Sequence, residues 1–243
     1  MRNLNNLPEI ILKSKSVGHP IDFKWNNKKM EMFLDPLEGN EELENILSQI
    51  SHKACMGLTA ALLEWISWRF TGYSTSANDI QKRIEALWCS VRDSHETDPL
   101  LFDTDLDMSD SGSVDGPLWV ALMNVRMIDV RYRKGSYFLQ SELIGLVLLA
   151  RYITPKKKSF DKWFNATVAA LLNSYPCAYN SKDVDQSDES IYDSSTETVI
   201  CREFFFDSKF HYTPAACEIA LDNFIKNLNH KANPFLHLSQ KAS

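Results

Sequence analysis

At 243 residues, with 44% hydrophobic and 24% charged residues, the chain is long enough to bury a real core, and its ordinary globular usage excludes wholesale disorder. A net charge of −6 argues against a duplex-binding protein, which must neutralise phosphates with surplus Lys and Arg, and suits solubility or a basic partner. The most apolar run, "LIGLVLLA" at 143–150, is far shorter than the roughly 20 helical residues a hydrocarbon core needs, so no membrane association is expected.

Residues 1–38 read as an irregular or extended segment packed on a helical body. "MRNLNNLPEIILKSK" lacks the long apolar core and cleavage site of a signal peptide, so a cytoplasmic protein is expected. "EIILKSK", "IDFKW" and "MEMFL" are short enough to be either strands or extended pieces. Asn40 begins a strong helical signal, with Glu41 and Glu42 in the first turn. Leu43, Ile46, Leu47, Ile50, Ala54, Leu58, Ala61, Leu62 and Trp65 keep helical spacing up to a stop at Gly72, with His52 on the solvent side. "SAND", 76–79, resembles a capping box for a helix whose stripe is Ile80, Ile84, Leu87, Trp88 and Val91. Trp65, Trp68 and Trp88 are expected in an aromatic core between these two antiparallel helices.

Gly116-Pro117 opens the next helix, which ends near Gly135. Ser136 is placed to cap "SYFLQSELIGLVLLARYI", a helix apolar on most sides. Ser159 precedes another, with Phe160, Trp163, Phe164, Thr167, Val168, Leu171 and Leu172 in period, closed by Pro176. "TVICREFFF" fits strand or helix. Thr213-Pro214 starts a last helix with Cys217, Leu221, Phe224, Ile225 and Leu228 inward, and the tail from Asn233 reads as loosely held. The fold class is therefore mainly α: one domain over 1–243, an irregular bundle of about six helices with helical hairpins and two long acidic loops.

Signals for chemistry are sparse. Five cysteines form no CxxC pair and sit in apolar contexts, which reads as reduced, mostly buried thiols rather than a zinc site. The six histidines fall in no hydrolase, metalloprotease or deaminase motif, and there is no phosphate-binding glycine loop. "DTDLDMSDSGSVDG", 103–116, has the spacing of a calcium loop but no closing Glu: position 12 is Val114 or Leu118, depending on register. No metal, cofactor or catalytic residue is assigned.

Charge is more informative. From Asp93 to Asp115 lie Asp93, Glu96, Asp98, Asp103, Asp105, Asp107, Asp110 and Asp115 with no Lys or Arg. A second stretch, Asp183 to Glu197, carries Asp183, Asp185, Asp188, Glu189, Asp193 and Glu197, again with no base. Such runs are commonly solvated loops, but clustered charge also speeds encounter with a cationic partner and rejects wrong ones. Leu100, Leu101, Phe102, Leu106, Met108, Ile191 and Tyr192 interleave the acids as candidate apolar anchors. The basic turn "PKKKS", 155–159, lacks the stacking aromatics of RNA-binding modules, so direct nucleic-acid binding is not expected.

The helix pair carrying "AALLEWISWRFTGYS" and "RIEALWCSVRD", followed by "GPLWVAL" after an acidic loop, resembles the cytoplasmic immunity proteins of bacterial type VI and polymorphic Rhs toxin systems. The resemblance covers about a third of the chain. It implies an all-helical, non-enzymatic protein that neutralises a cognate, basic toxin by covering its active site or mimicking its anionic substrate. The partner-binding residues expected on this reading are Asp103, Asp105, Asp107, Asp110, Asp115, Asp185, Asp188, Glu189 and Asp193. The alternatives are a helical enzyme with a carboxylate metal site and a non-catalytic adaptor.

Overall fold

The computed structural model describes residues 7–36, 39–102, 109–180, 183–184 and 191–237. These residues hold ten α-helices: α1 (Glu9–Lys13), α2 (Asn27–Leu34), α3 (Glu41–Leu47), α4 (His52–Arg69), α5 (Ala77–Arg92), α6 (Asp115–Arg133), α7 (Gln140–Ile153), α8 (Lys157–Ser174), α9 (Arg202–Phe206) and α10 (Pro214–Lys226). The mainly α class is as expected, with short helices added to the six long ones. Among the described residues there is no strand, only isolated bridges between Ile50 and Pro176 and between Thr97 and Leu236.

Helix α4 is the axis of the bundle. All 18 of its residues are buried, and α5, α6, α7 and α9 pack directly on it. A helix without a solvent face must still satisfy its polar side chains internally. Glu64 accepts from Arg202 Nε and Nη2 at 2.8 and 2.6 Å, and from Trp68 Nε1 at 3.2 Å. Trp65 donates to Thr154 Oγ1 at 2.8 Å while its ring meets Phe160 and Trp163 of α8. Trp65, Trp68 and Trp88 are all fully buried, as their helical spacing predicts.

Arg69, at the end of α4, decides the N-terminal segment. Its guanidinium donates to the carbonyls of Ile153, His19 and Pro20 at 2.7–2.9 Å. Ile21, Phe23 and Trp25 alternate with exposed neighbours, the period of an extended chain. "IDFKW" thus lies extended on the body, held by side chains rather than by a neighbouring strand: Arg69 takes the two carbonyls just before it and Tyr152 OH donates to Lys24 O. "EIILK" and "NKKMEMFL", by contrast, are helices α1 and α2.

Several boundaries differ from expectation. The long helix from Asn40 breaks at 48–51, where Ser51 N bonds Tyr175 O and Cys177 N bonds Gln49 O, and the Ser51 side chain caps α4 through Ala54 N. The apolar spacing of three and four from Leu47 through Ile50 to Ala54 runs across the break and conceals it. His52 is therefore not solvent-facing but 2% exposed. Ser76 makes no side-chain cap; Asp79 pairs instead with Arg83. Ser136 bonds Phe138 N in a turn before α7, and α8 starts at Lys157, two residues ahead of Ser159. Thr213 caps α10 as its Thr-Pro pair predicts. The tail is not loose as far as His237: Asn233 Nδ2 donates to Lys82 O and Glu85 Oε2, and Arg83 lies over the Phe235 ring.

Candidate interaction face

In the first acidic stretch, residues 94–102 run back along α6, a helix of 19 residues and so about 28 Å long. Three α6 side chains on one face, Arg133, Asp129 and Arg126, grip them in sequence. Arg133 donates to the carbonyls of Ser94 (2.6 Å), Thr97 (2.9 Å) and Asp98 (3.1 Å), and to Thr97 Oγ1 (2.6 Å). Its Nε meets both oxygens of the fully buried Asp129 at 3.0 Å, and Asp129 Oδ2 accepts Leu100 N at 2.9 Å. Arg126 reaches Phe102 O at 3.3 Å. A buried carboxylate is tolerated only when paired and bonded, and this one is both. Residues 94–102 are thus a strap bound to the body, not a solvated loop.

The second acidic stretch is anchored by one of its own carboxylates. Glu197 accepts His52 N and Lys53 N at 3.1 and 2.8 Å, capping the N-terminus of α4 where the helix dipole favours negative charge. Tyr192 OH donates to Glu197 Oε1 at 2.9 Å, and Tyr192 N to Gly135 O at 2.9 Å. Gly135 has φ +64°, and a Cβ there would strike Ile191 and come within 2.7 Å of Tyr192 O, so the approach requires glycine. Beneath, Tyr179 OH donates to Tyr137 O at 2.6 Å and so accepts from His52 Nε2, also at 2.6 Å. That fixes the Nε2–H tautomer, and burial pushes the His52 pKa down to about 4, keeping the ring neutral.

The two stretches meet. Asp93, before the strap, and Asp193, beside Glu197, line one cleft of about 410 Å³ over the ends of α5 and α6. Each is held in a local turn: Asp93 accepts His95 N at 2.9 Å and Asp193 accepts Ser195 N at 2.8 Å. Those backbone N–H groups hold both carboxyls below their ordinary range, so both stay ionised. The basic groups in the cleft each have a partner: Arg133 as above, Arg92 with Asp222, Lys53 with Ser195 O at 3.1 Å, and His95, whose Nδ1 lies 2.9 Å from Asp93 Oδ1.

Of the expected partner-binding residues, Asp193 lies at this cleft, exposed. Asp110 and Asp115 are also exposed but lie at the opposite end of α6, where Trp25 Nε1 donates to Asp110 O. Asp103, Asp105, Asp107, Asp185, Asp188 and Glu189, with the candidate anchors Leu106 and Met108, fall outside the described residues. Among the other anchors, Leu100 and Phe102 are buried in the core and unavailable, Tyr192 belongs to the tyrosine cluster, and Leu101 (62%) and Ile191 (75%) are exposed. Sequence reasoning missed Glu197 as a helix cap and Asp129–Arg133 as the hub; only the i, i+4 spacing of the latter is visible locally. Among the described residues no three His, Cys, Asp or Glu side chains are grouped to hold a metal ion, and no helix is long and apolar enough to cross a membrane. Comparison of the chain with protein-family models, with curated proteins and with solved structures finds no match in any of the three.

Proposed function

We propose that the chain is an immunity-type inhibitor that binds a basic toxin through the face where its two acidic stretches converge. The observation that carries this reading is the pairing of Asp93 and Asp193, one from each stretch, at a single cleft with Ile191 exposed on its rim. At this cleft, residues 94–102 and 192–197 are bound to the helical body, so binding would spend little free energy on ordering them. Carboxylates on such a rim steer a cationic partner, and the exposed isoleucine offers the apolar contact that charge alone does not supply. Inhibition would follow from occlusion of the toxin's active site or from imitation of its anionic substrate.

The test is titration with the toxin encoded beside the gene for this chain. A complex is expected at low salt, weakening steeply as salt rises. Asp93→Asn combined with Asp193→Asn should weaken it about tenfold, chiefly through slower association. Absence of a complex at low salt would overturn the reading. An unchanged affinity in the double variant would overturn the choice of face.

A further inference from the structure

Outside this face, the sulfurs of Cys201 and Cys217 lie 3.3 Å apart, both fully buried, though sixteen positions separate them in the chain. Cys201 is the residue before α9, between two residues tied to the central helix: Ile200 packs against Gly57, and Arg202 is paired with Glu64. Cys217 belongs to α10, a peripheral helix of whose 13 residues only Cys217 and Leu221 are buried. The thiol pair is thus the seam between a peripheral helix and an anchored segment. Tyr175 OH adds a third group, 3.3 Å from Cys217 Sγ and 3.1 Å from Val199 O.

We propose that Cys201 and Cys217 are a redox-modifiable dithiol whose oxidation to a disulfide by a hydroperoxide staples α10 to the α9 segment. The sulfurs need close only about 1.3 Å to reach bonding distance. The Cys201 S–H faces Cys217 Sγ, and this donor holds the Cys217 thiol below its ordinary pKa against the opposing effect of burial. In the first step the Cys217 thiolate attacks one peroxide oxygen. The O–O bond breaks, hydroxide leaves and takes up a proton as water, and Cys217 becomes a sulfenic acid. In the second, Cys201 sulfur attacks Cys217 sulfur, the S–O bond breaks, and the departing hydroxide leaves as water with the Cys201 proton. Two thiols and one hydrogen peroxide give one disulfide and two waters; the peroxide gains the two electrons the thiols lose. The reagent enters when α10 opens locally, the low-energy motion expected of a helix with so little buried surface.

The test uses the reduced full chain treated with hydrogen peroxide and then alkylated in denaturant, so that every free thiol is reached. Of the five cysteines, three should take up label, with intact mass lower by two hydrogens before labelling and a peptide linking Cys201 to Cys217. Dithiothreitol should restore five. Amide exchange over 214–226 should slow at least severalfold on oxidation and recover on reduction. Five labelled thiols after prolonged exposure, a link between any other pair, or a correct link that leaves α10 exchange unchanged would each overturn the proposal. In Cys201→Ser the resolving thiol is gone, so a sulfenic-acid probe should label Cys217; labelling confined to another cysteine would also overturn it.

Discussion

His52 shows how one side chain ties electrostatics to folding. Its ring is 2% exposed, bonded to Tyr179 through Nε2, with the other nitrogen buried and unpartnered. Protonation in the folded state would place an uncompensated charge in this pocket, which is why the pKa sits at about 4 against 6.5 for a free imidazole. The unfolded chain therefore binds the proton more readily. The stability contributed by a neutral His52 is complete above about pH 6.5 and is lost as pH falls towards 4, about 3 kcal/mol in all. Urea unfolding at pH 7.5 and 4.5 should show the larger acid loss in the natural protein than in His52→Gln, which keeps a polar group but cannot titrate. Equal losses would assign the acid sensitivity elsewhere.

Among the elements, α7 makes a close backbone crossing at one glycine. Gly145 lies where α2 and α6 meet it, and a Cβ there would collide with Phe33 O and come within 2.9 Å of Asn124 Nδ2, which itself donates to Phe33 O at 3.1 Å. Two effects oppose each other in Gly145→Ala. Helix propensity favours alanine by about 1 kcal/mol, while overpacking against backbone costs about 1–3 kcal/mol and the collision here is with a carbonyl that cannot rotate away. Steric cost wins, so a net loss of about 1–2 kcal/mol is expected in denaturant melts. The same scale explains why α5, α6, α8 and α10 were legible from their apolar stripes whereas the α3–α4 break was not. The stripe reports which face is buried, and it keeps its spacing across a capped interruption.

Taking the molecule as a whole, Arg133 joins α5, α6 and the acidic strap, and the tail closes over the strap from outside. Asp98 N bonds Phe235 O, His237 N bonds Glu96 O, and His237 pairs with Asp98 at 2.9 Å. Removing the guanidinium leaves Asp129 buried without its cation and three strap carbonyls without that donor. Arg133→Met should therefore cost about 3–5 kcal/mol, and Arg133→Lys should restore little of it because an ammonium cannot reproduce the planar fork. Hydrogen exchange over 94–102 should rise first in either variant; exchange rising uniformly across the chain would show that the strap has no separate dependence on this residue. The proposed partner face depends on the same hub, since Asp93 enters the strap it holds.

By itself the sequence determined the helical class, the placement of most long helices, the tryptophan core and the two acidic stretches. These follow from composition and local period, which act over a few residues. Tertiary structure alone decided that His52 is buried, that the strap is bound rather than free, that Asp93 and Asp193 share a cleft while Asp110 and Asp115 do not, and that Cys201 meets Cys217. Each depends on polar or sulfur groups satisfied by distant partners, as with Glu197 and the α4 N-terminus 145 positions away. Buried hydrogen bonds must be made somewhere, but nothing in local pattern says with which residue.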